Sequence, residues 1–175
     1  MTEAQLSNAM GAYGSTVYRL ALTRMQNIAD AEDVYQEVFL RLWKQAAEDW
    51  DGDRAKAWLI RTTLNRCADL HRFHLRRPVL SFAEIPDLAQ PEDESRELWE
   101  AVSRLPEKAR TAVHLYYAEG YSAEEISQLM HIPAATVRTR LHRARKQLKE
   151  LLGGIDDETC VSRSDGTNFG PQRAE

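Results

Sequence analysis

The sequence predicts an all-α fold of two small helical domains joined by a flexible linker, the C-terminal one carrying a helix-turn-helix. Three observations predict it. Apolar residues recur at the 3.6-residue helical period, without the period-two alternation of strands. A stretch with Pro86 and Pro91 interrupts that period across residues 79–94. A short helical pattern, a tight turn and a basic helical pattern then follow one another over Ser122–Leu148. The 175-residue length accommodates one or two small domains.

Leu6, Met10, Tyr13, Val17 and Leu20 step by fours and threes and define the first amphipathic helix. Asp30 suits the cap of a second, which carries Val34, Val38 and Leu42 on one face. Trp50-Asp51-Gly52-Asp53 is a turn cluster. A long third helix runs from about Arg54 to His74, with Pro78 as its stop, so the first domain covers residues 1–78. After the linker, Leu98, Val102 and Leu105 resume the helical period. Pro106 opens a helix bearing Ala109, Val113 and Tyr116/Tyr117, and Gly120 ends it. The second domain covers residues 95–152, and the polar tail 153–175 is expected to be disordered.

Ser122 and Glu125 have capping-box spacing: the hydroxyl accepts from the third helical N–H while the carboxylate reaches back. Ile126, Leu129 and Met130 form the apolar face of that short helix. His131-Ile132-Pro133 is the turn, with His131 where Gly is usual, and Ser127 stands where Ala is more often packed. Val137, Leu141, Ala144, Leu148 and Leu151 make one stripe on the next helix. Arg138, His142, Arg145 and Lys149 cluster away from it, with Thr139 and Lys146 beside them. Such a face suits the major groove, where Arg reads guanine and Lys holds phosphate. The competing reading is an ordinary helical hairpin with a charged outer face.

The formal charge of −4 conceals segregation. Arg54–Arg77 holds seven Arg/Lys and one acid, Asp69, and Arg138–Lys149 holds six and none. Glu84–Glu100 between them holds seven acids and one Arg. Two basic patches around an acidic joint can bind a polyanion, although charge runs are also what solvated helix faces look like.

Several classes are disfavoured. No run of 18 apolar residues is present to span a membrane, and the N-terminus lacks a signal peptide's features. Cys67 and Cys160 match no zinc or redox spacing, which fits a reducing cytosol. Cys67, His71 and His74 sit four and three apart like a partial metal site, but on the helical wheel they share the side of Ile60 and Leu64, where a core role is expected. With no phosphate loop and no nucleophile elbow, neither an enzyme nor a bound cofactor is expected.

Asp30-Ala31-Glu32-Asp33-Val34-Tyr35-Gln36-Glu37-Val38-Phe39-Leu40-Arg41-Leu42-Trp43 resembles the region-2 signature of the sigma factors of bacterial RNA polymerase. Leu105-Pro106 through Tyr116-Tyr117, Gly120-Tyr121-Ser122 and Thr136-Val137-Arg138-Thr139-Arg140-Leu141-His142-Arg143-Ala144-Arg145 resemble their region 4. The two blocks in this order, separated by a short linker, resemble the small extracytoplasmic-function (ECF) sigma factors over about residues 5–152.

The resemblance implies a polymerase specificity subunit with three surfaces. Asp33, Gln36 and Glu37, with Phe39 and Leu40 beside them, would dock on core RNA polymerase. Arg54, Arg61, Asn65 and Arg72 fall in one sector of the third helix with Trp58 on its flank, and would meet melted promoter DNA near position −10. Trp58 reads equally well as a core residue. The loop Trp50–Arg54 resembles the family's specificity loop, which captures a flipped-out base; here it is short and acidic. Ser122, Thr136, Arg138, Thr139, His142, Arg143, Arg145 and Lys146 would read duplex DNA near −35. An anti-sigma protein is the further implied partner, and the location implied is cytoplasmic. Two other classes stay open: a stand-alone helix-turn-helix regulator, which would not need the region-2-like helix, and an interaction protein, for which the doubled basic faces have no use.

Overall fold

The computed structural model describes residues 2–45, 52–76 and 93–153. The Pro78 stop, the linker through Glu92, Trp50 and Asp51 of the Trp50–Arg54 loop and the tail beyond Gly153 lie outside the described residues, while Gly52, Asp53 and Arg54 of that loop are helical. The described chain is helical, with no strand: α1 Glu3–Met25, α2 Ile28–Lys44, α3 Gly52–Arg76, α4 Asp93–Ser103, α5 Glu107–Val113, α6 Ala123–Met130 and α7 Ala134–Leu151.

In the first domain, α1, α2 and α3 pack on one another pairwise. Val17, Ala21, Leu22, Val34, Val38, Leu42, Leu59 and Cys67 are buried between them. Thr2 and Gln5 form a capping box that starts α1. Gln26 ends α1 in the left-handed region at φ 53°, its N–H closing on the Leu22 carbonyl. The reversal leaves Asn27 extended, and its side-chain oxygen accepts from the Asp30 N–H at 2.9 Å. Asn27 is therefore the cap of α2, not Asp30. Asp30 lies one turn in, where its charge favours the helix N-terminus and its Oδ1 meets His74 Nε2 at 3.2 Å. Gly14 lets α1 and α2 approach: a Cβ there would sit 3.0 Å from the Tyr35 hydroxyl.

In the second domain, α5 continues as one π-helical turn, His114–Ala118, whose wider loop the helical period does not reveal. Gly120 then takes φ +75°, and the Tyr121 N–H returns to the Leu115 carbonyl at 3.0 Å. This reversal aims the chain into α6. Leu105, Ala112, Leu115, Ile126, Leu129, Val137, Leu141 and Ala144 form the core.

The two domains are in contact. Leu20 of α1 and Ile60 and Leu64 of α3 belong to the core cluster of the second domain rather than the first. Fully burying such side chains is worth roughly 1.5–3 kcal/mol each. The sequence marks all three as apolar stripe positions but not which domain they face.

Candidate nucleic-acid interface

The helix-turn-helix is built from α6 and α7. Ser122 Oγ accepts from the Glu125 N–H at 3.2 Å, and the Ser122 N–H donates to Glu125 Oε2 at 2.8 Å, which is the reciprocal cap read from the spacing. His131 closes α6 at φ 52°, the left-handed turn position where Gly is usual, and Pro133 precedes α7 with extended ψ. Val137, Leu141 and Ala144 seat α7 on the domain core, with Leu148 half-buried beside them.

That seating leaves the opposite face of α7 in solvent. Arg138, Thr139, His142, Arg143, Arg145, Lys146 and Lys149 are exposed, and Thr136 is half-buried. Thr139 Oγ1 donates back to the Ala135 carbonyl at 2.9 Å. The Arg138 guanidinium is ion-paired with Glu124 on α6, across the turn. Sequence reasoning missed Glu124, because a pair 14 residues apart has no local periodicity to announce it.

On α3 the basic sector is also outward. Arg54, Arg61, Asn65 and Arg72 are exposed. Arg72 is tied to Asp69 Oδ1 at 2.5 Å. Trp58 is half-buried against the first core, so it is held at the edge of this sector rather than standing free of the fold. Cys67 is buried, and desolvation pushes its thiol up to about 12, so it is inert at neutral pH. His71 faces Glu107 at 3.8 Å, and His74 faces Asp30. Among the described residues, no three His, Cys, Asp or Glu side chains converge as metal ligands.

The third surface is α2. Asp33, Gln36 and Leu40 are exposed, with Trp43 one turn on. Glu37 is half-buried; its hydrogen bond from Arg41 at 2.8 Å holds the carboxyl below the ordinary carboxylate value. Phe39 corrects the sequence expectation. It is 4% exposed and packs against the Tyr35 ring at 4.8 Å between centroids. It follows Val38 by one position, so it widens the apolar stripe toward α1 and is a core residue, not a surface contact.

The sequence also missed the polar seam between the domains. Arg110 on α5 is 5% exposed. Its guanidinium donates to the Thr23 carbonyl, to Arg24 O at 3.1 Å, to Ser103 O at 3.1 Å and to Leu105 O at 2.9 Å. Thr23 and Arg24 lie in the last turn of α1 and Ser103 ends α4, so one cation caps helix C-termini from both domains. Gln26 Nε2 donates to Ser103 O at 2.7 Å, and Arg24 pairs with Glu107. At the other edge, Glu119 receives Lys56 Nζ at 3.0 Å and the Thr16 hydroxyl at 3.2 Å.

No described helix is long and apolar enough to cross a membrane. The chain matches the family model "Sigma-70 region 2" over residues 10–77 and "Sigma-70, region 4" over residues 95–148. It is 34% identical to the ECF RNA polymerase sigma factor SigE of Mycolicibacterium smegmatis, over 86% of this chain and 62% of that one, so it spans less than two thirds of that relative. It is 32% identical to the ECF RNA polymerase sigma factor SigM of Bacillus subtilis, over 83% of this chain and 94% of SigM. Its fold is that of the sigma factor RpoE solved with the anti-sigma factor NepR from Bartonella quintana, at TM-score 0.73 and 23% identity over 87% of this chain and 99% of RpoE. Both blocks in one chain, at this identity and coverage, place the protein in the ECF group of the sigma-70 family of RNA polymerase sigma factors.

Proposed function

We infer that this chain binds core RNA polymerase and directs promoter-specific initiation. The observation that carries the reading is that one chain presents three separate outward faces: α2, the basic sector of α3 and the basic side of α7. A stand-alone DNA reader needs only the last. Asp33, Gln36 and Leu40 dock on polymerase, with Glu37 and its Arg41 partner at the rim.

The α7 face enters duplex DNA near −35. Arg138, with Arg143, Arg145, Lys146 and Lys149, supplies the cations, and Ser122, Thr136, Thr139 and His142 supply polar contacts. On α3, Arg54, Arg61 and Arg72 follow the backbone near −10, Asn65 reads a base edge, and Trp58 offers a ring to an unpaired base. Strand opening then draws on binding energy alone, since the melted state is the one held. The protein acts by binding, in the cytoplasm, and an anti-sigma protein is its expected regulator.

In vitro transcription tests the reading. Core polymerase with this chain, on a pooled promoter library, is expected to initiate at a subset of promoters sharing upstream and −10 sequences. A chain that binds duplex DNA yet never directs initiation is a stand-alone regulator instead.

A further inference from the structure

We propose that Thr139, with Ala135 one turn before it, forms an apolar contact for the 5-methyl group of one thymine in the upstream element. The proposal rests on the reading that α7 enters duplex DNA, and names the base feature that its most outward line recognises.

The seating of α7 sets that line. Val137, Leu141 and Ala144 are buried on the domain core, with Leu148 half-buried beside them. At about 100° per residue, the line opposite this stripe runs through Ala135, Thr139 and Lys146, all exposed. Cations stand to its sides, Arg138 and Arg145 on one and Arg143 on the other. Glu124 draws the Arg138 guanidinium toward α6. The start of α7 therefore has only an alanine and a threonine where the helix stands farthest from its own domain. The N-terminal residues of a recognition helix are those that meet base edges. Two small side chains there let the backbone approach the bases closely, while the flanking cations reach phosphates.

Thr139 was grouped above with the polar contacts, but its hydroxyl hydrogen is already committed. Oγ1 donates to the Ala135 carbonyl at 2.9 Å. It has no hydrogen left for guanine O6 or N7, nor for adenine N7. The same bond fixes the rotamer. With Oγ1 turned back along the helix, the staggered Cγ2 methyl is the branch left facing outward. Ala135 adds its Cβ on the same face, where side chains four apart are neighbours. Two carbons side by side match an apolar group, and in the major groove the base that presents one is thymine, at C5.

The full-length chain is first used to select tight-binding duplexes from a randomised pool. Each thymine of a selected duplex is then replaced in turn by deoxyuridine, which removes the methyl and keeps every hydrogen-bonding group. Fluorescence anisotropy gives the affinity ratio of the thymine duplex to the deoxyuridine duplex. The ratio is taken within each variant, so any loss of folding or of overall affinity cancels. At one thymine the unchanged chain is expected to show a ratio of about four, the worth of one methyl removed from water. Thr139→Val keeps the methyl and drops the hydroxyl, and is expected to keep that ratio. Thr139→Ser keeps the hydroxyl and drops the methyl, and is expected to bring it to about one. Ala135→Gly is expected to lower it part of the way.

A ratio near one at every thymine overturns the proposal. So does a ratio that survives in Thr139→Ser, one that is lost in Thr139→Val, or one that Ala135→Gly leaves undiminished. Each of these leaves the reading of α7 as a duplex reader standing. A chain that selects no duplex from the pool overturns that reading and the proposal together.

Discussion

The Glu124 carboxylate on α6 holds the Arg138 guanidinium of α7, so the first solvent-facing cation of the recognition helix is oriented by the helix before it. Both side chains are about 60% exposed, where such a pair contributes up to about 1 kcal/mol. Its consequence for DNA outweighs its consequence for stability. Glu124 repels phosphate, yet it restricts Arg138 to few rotamers. Glu124→Gln is expected to raise affinity for unrelated duplex a few-fold, steepen the salt dependence, and narrow the preference for the cognate upstream element. Arg138→Ala should cost about 1–3 kcal/mol on the cognate element and leave polymerase binding intact. Fluorescence anisotropy over a salt series measures both. Unchanged discrimination in Glu124→Gln would remove its orienting role.

The α2 surface separates two neighbours that the sequence grouped together. Leu40 is 46% exposed, whereas Phe39 is buried. Leu40→Asp and Asp33→Arg are expected to weaken binding to core polymerase by at least about tenfold, with little change in thermal midpoint. Phe39→Ala should instead lower stability by about 3–5 kcal/mol, because it empties a packed site beside Tyr35. Pull-down titration against polymerase, run beside thermal unfolding, sorts the two effects. Equal loss of polymerase binding by folded Phe39→Ala would return that residue to the interface.

Local chemistry was legible and remote pairing was not. The Ser122–Glu125 cap and the outward side of α7 follow from spacings of three and four, which a helix converts directly into contact. Asp30 was misread because Asn27, three residues earlier, offers the same capping chemistry and the chain reverses at Gln26. Phe39 was misread because the stripe is wider than its three central residues. The seam was invisible because Arg110 bonds to carbonyls more than 80 residues away. Sequence patterns say that a face is apolar or charged; they do not say which other face meets it.

The cap at Ser122 links stability to DNA reading. Its hydroxyl satisfies the Glu125 N–H, and Glu125 answers at the Ser122 N–H. Ser122→Ala removes the hydroxyl that caps the Glu125 N–H while keeping the backbone N–H that Glu125 accepts from, and is expected to cost about 1 kcal/mol of domain stability, whereas Ser122→Asp, which can also cap, should cost less. Thermal unfolding followed by circular dichroism measures this. Alanine and aspartate variants of equal stability would show that the cap contributes nothing.

His114 makes the domain seam sensitive to acid. The ring is buried with Nδ1 3.2 Å from the Thr23 hydroxyl, across the seam. Glu119 and Arg19 are the charged groups that act on it, and Glu119 Oε1 lies 3.8 Å from Nε2. Desolvation dominates and lowers its pKa below the ordinary 6.5. The folded chain therefore holds this ring neutral at pH values where the unfolded chain already binds a proton. Unfolding takes up that proton below about 6.5, so the stability contributed by His114 is complete above that pH and is lost as the pH falls. His71 and His74 are further imidazoles that face carboxylates, which makes the raw pH profile a poor test. The difference between the unchanged chain and His114→Gln isolates the one ring. That difference, measured by urea unfolding, should favour the unchanged chain more at about pH 7.5 than at about pH 5.5. A difference that stays constant would mean that the Glu119 carboxylate fully offsets burial, and one that grows toward acid would mean that it outweighs burial; either result overturns the lowered value.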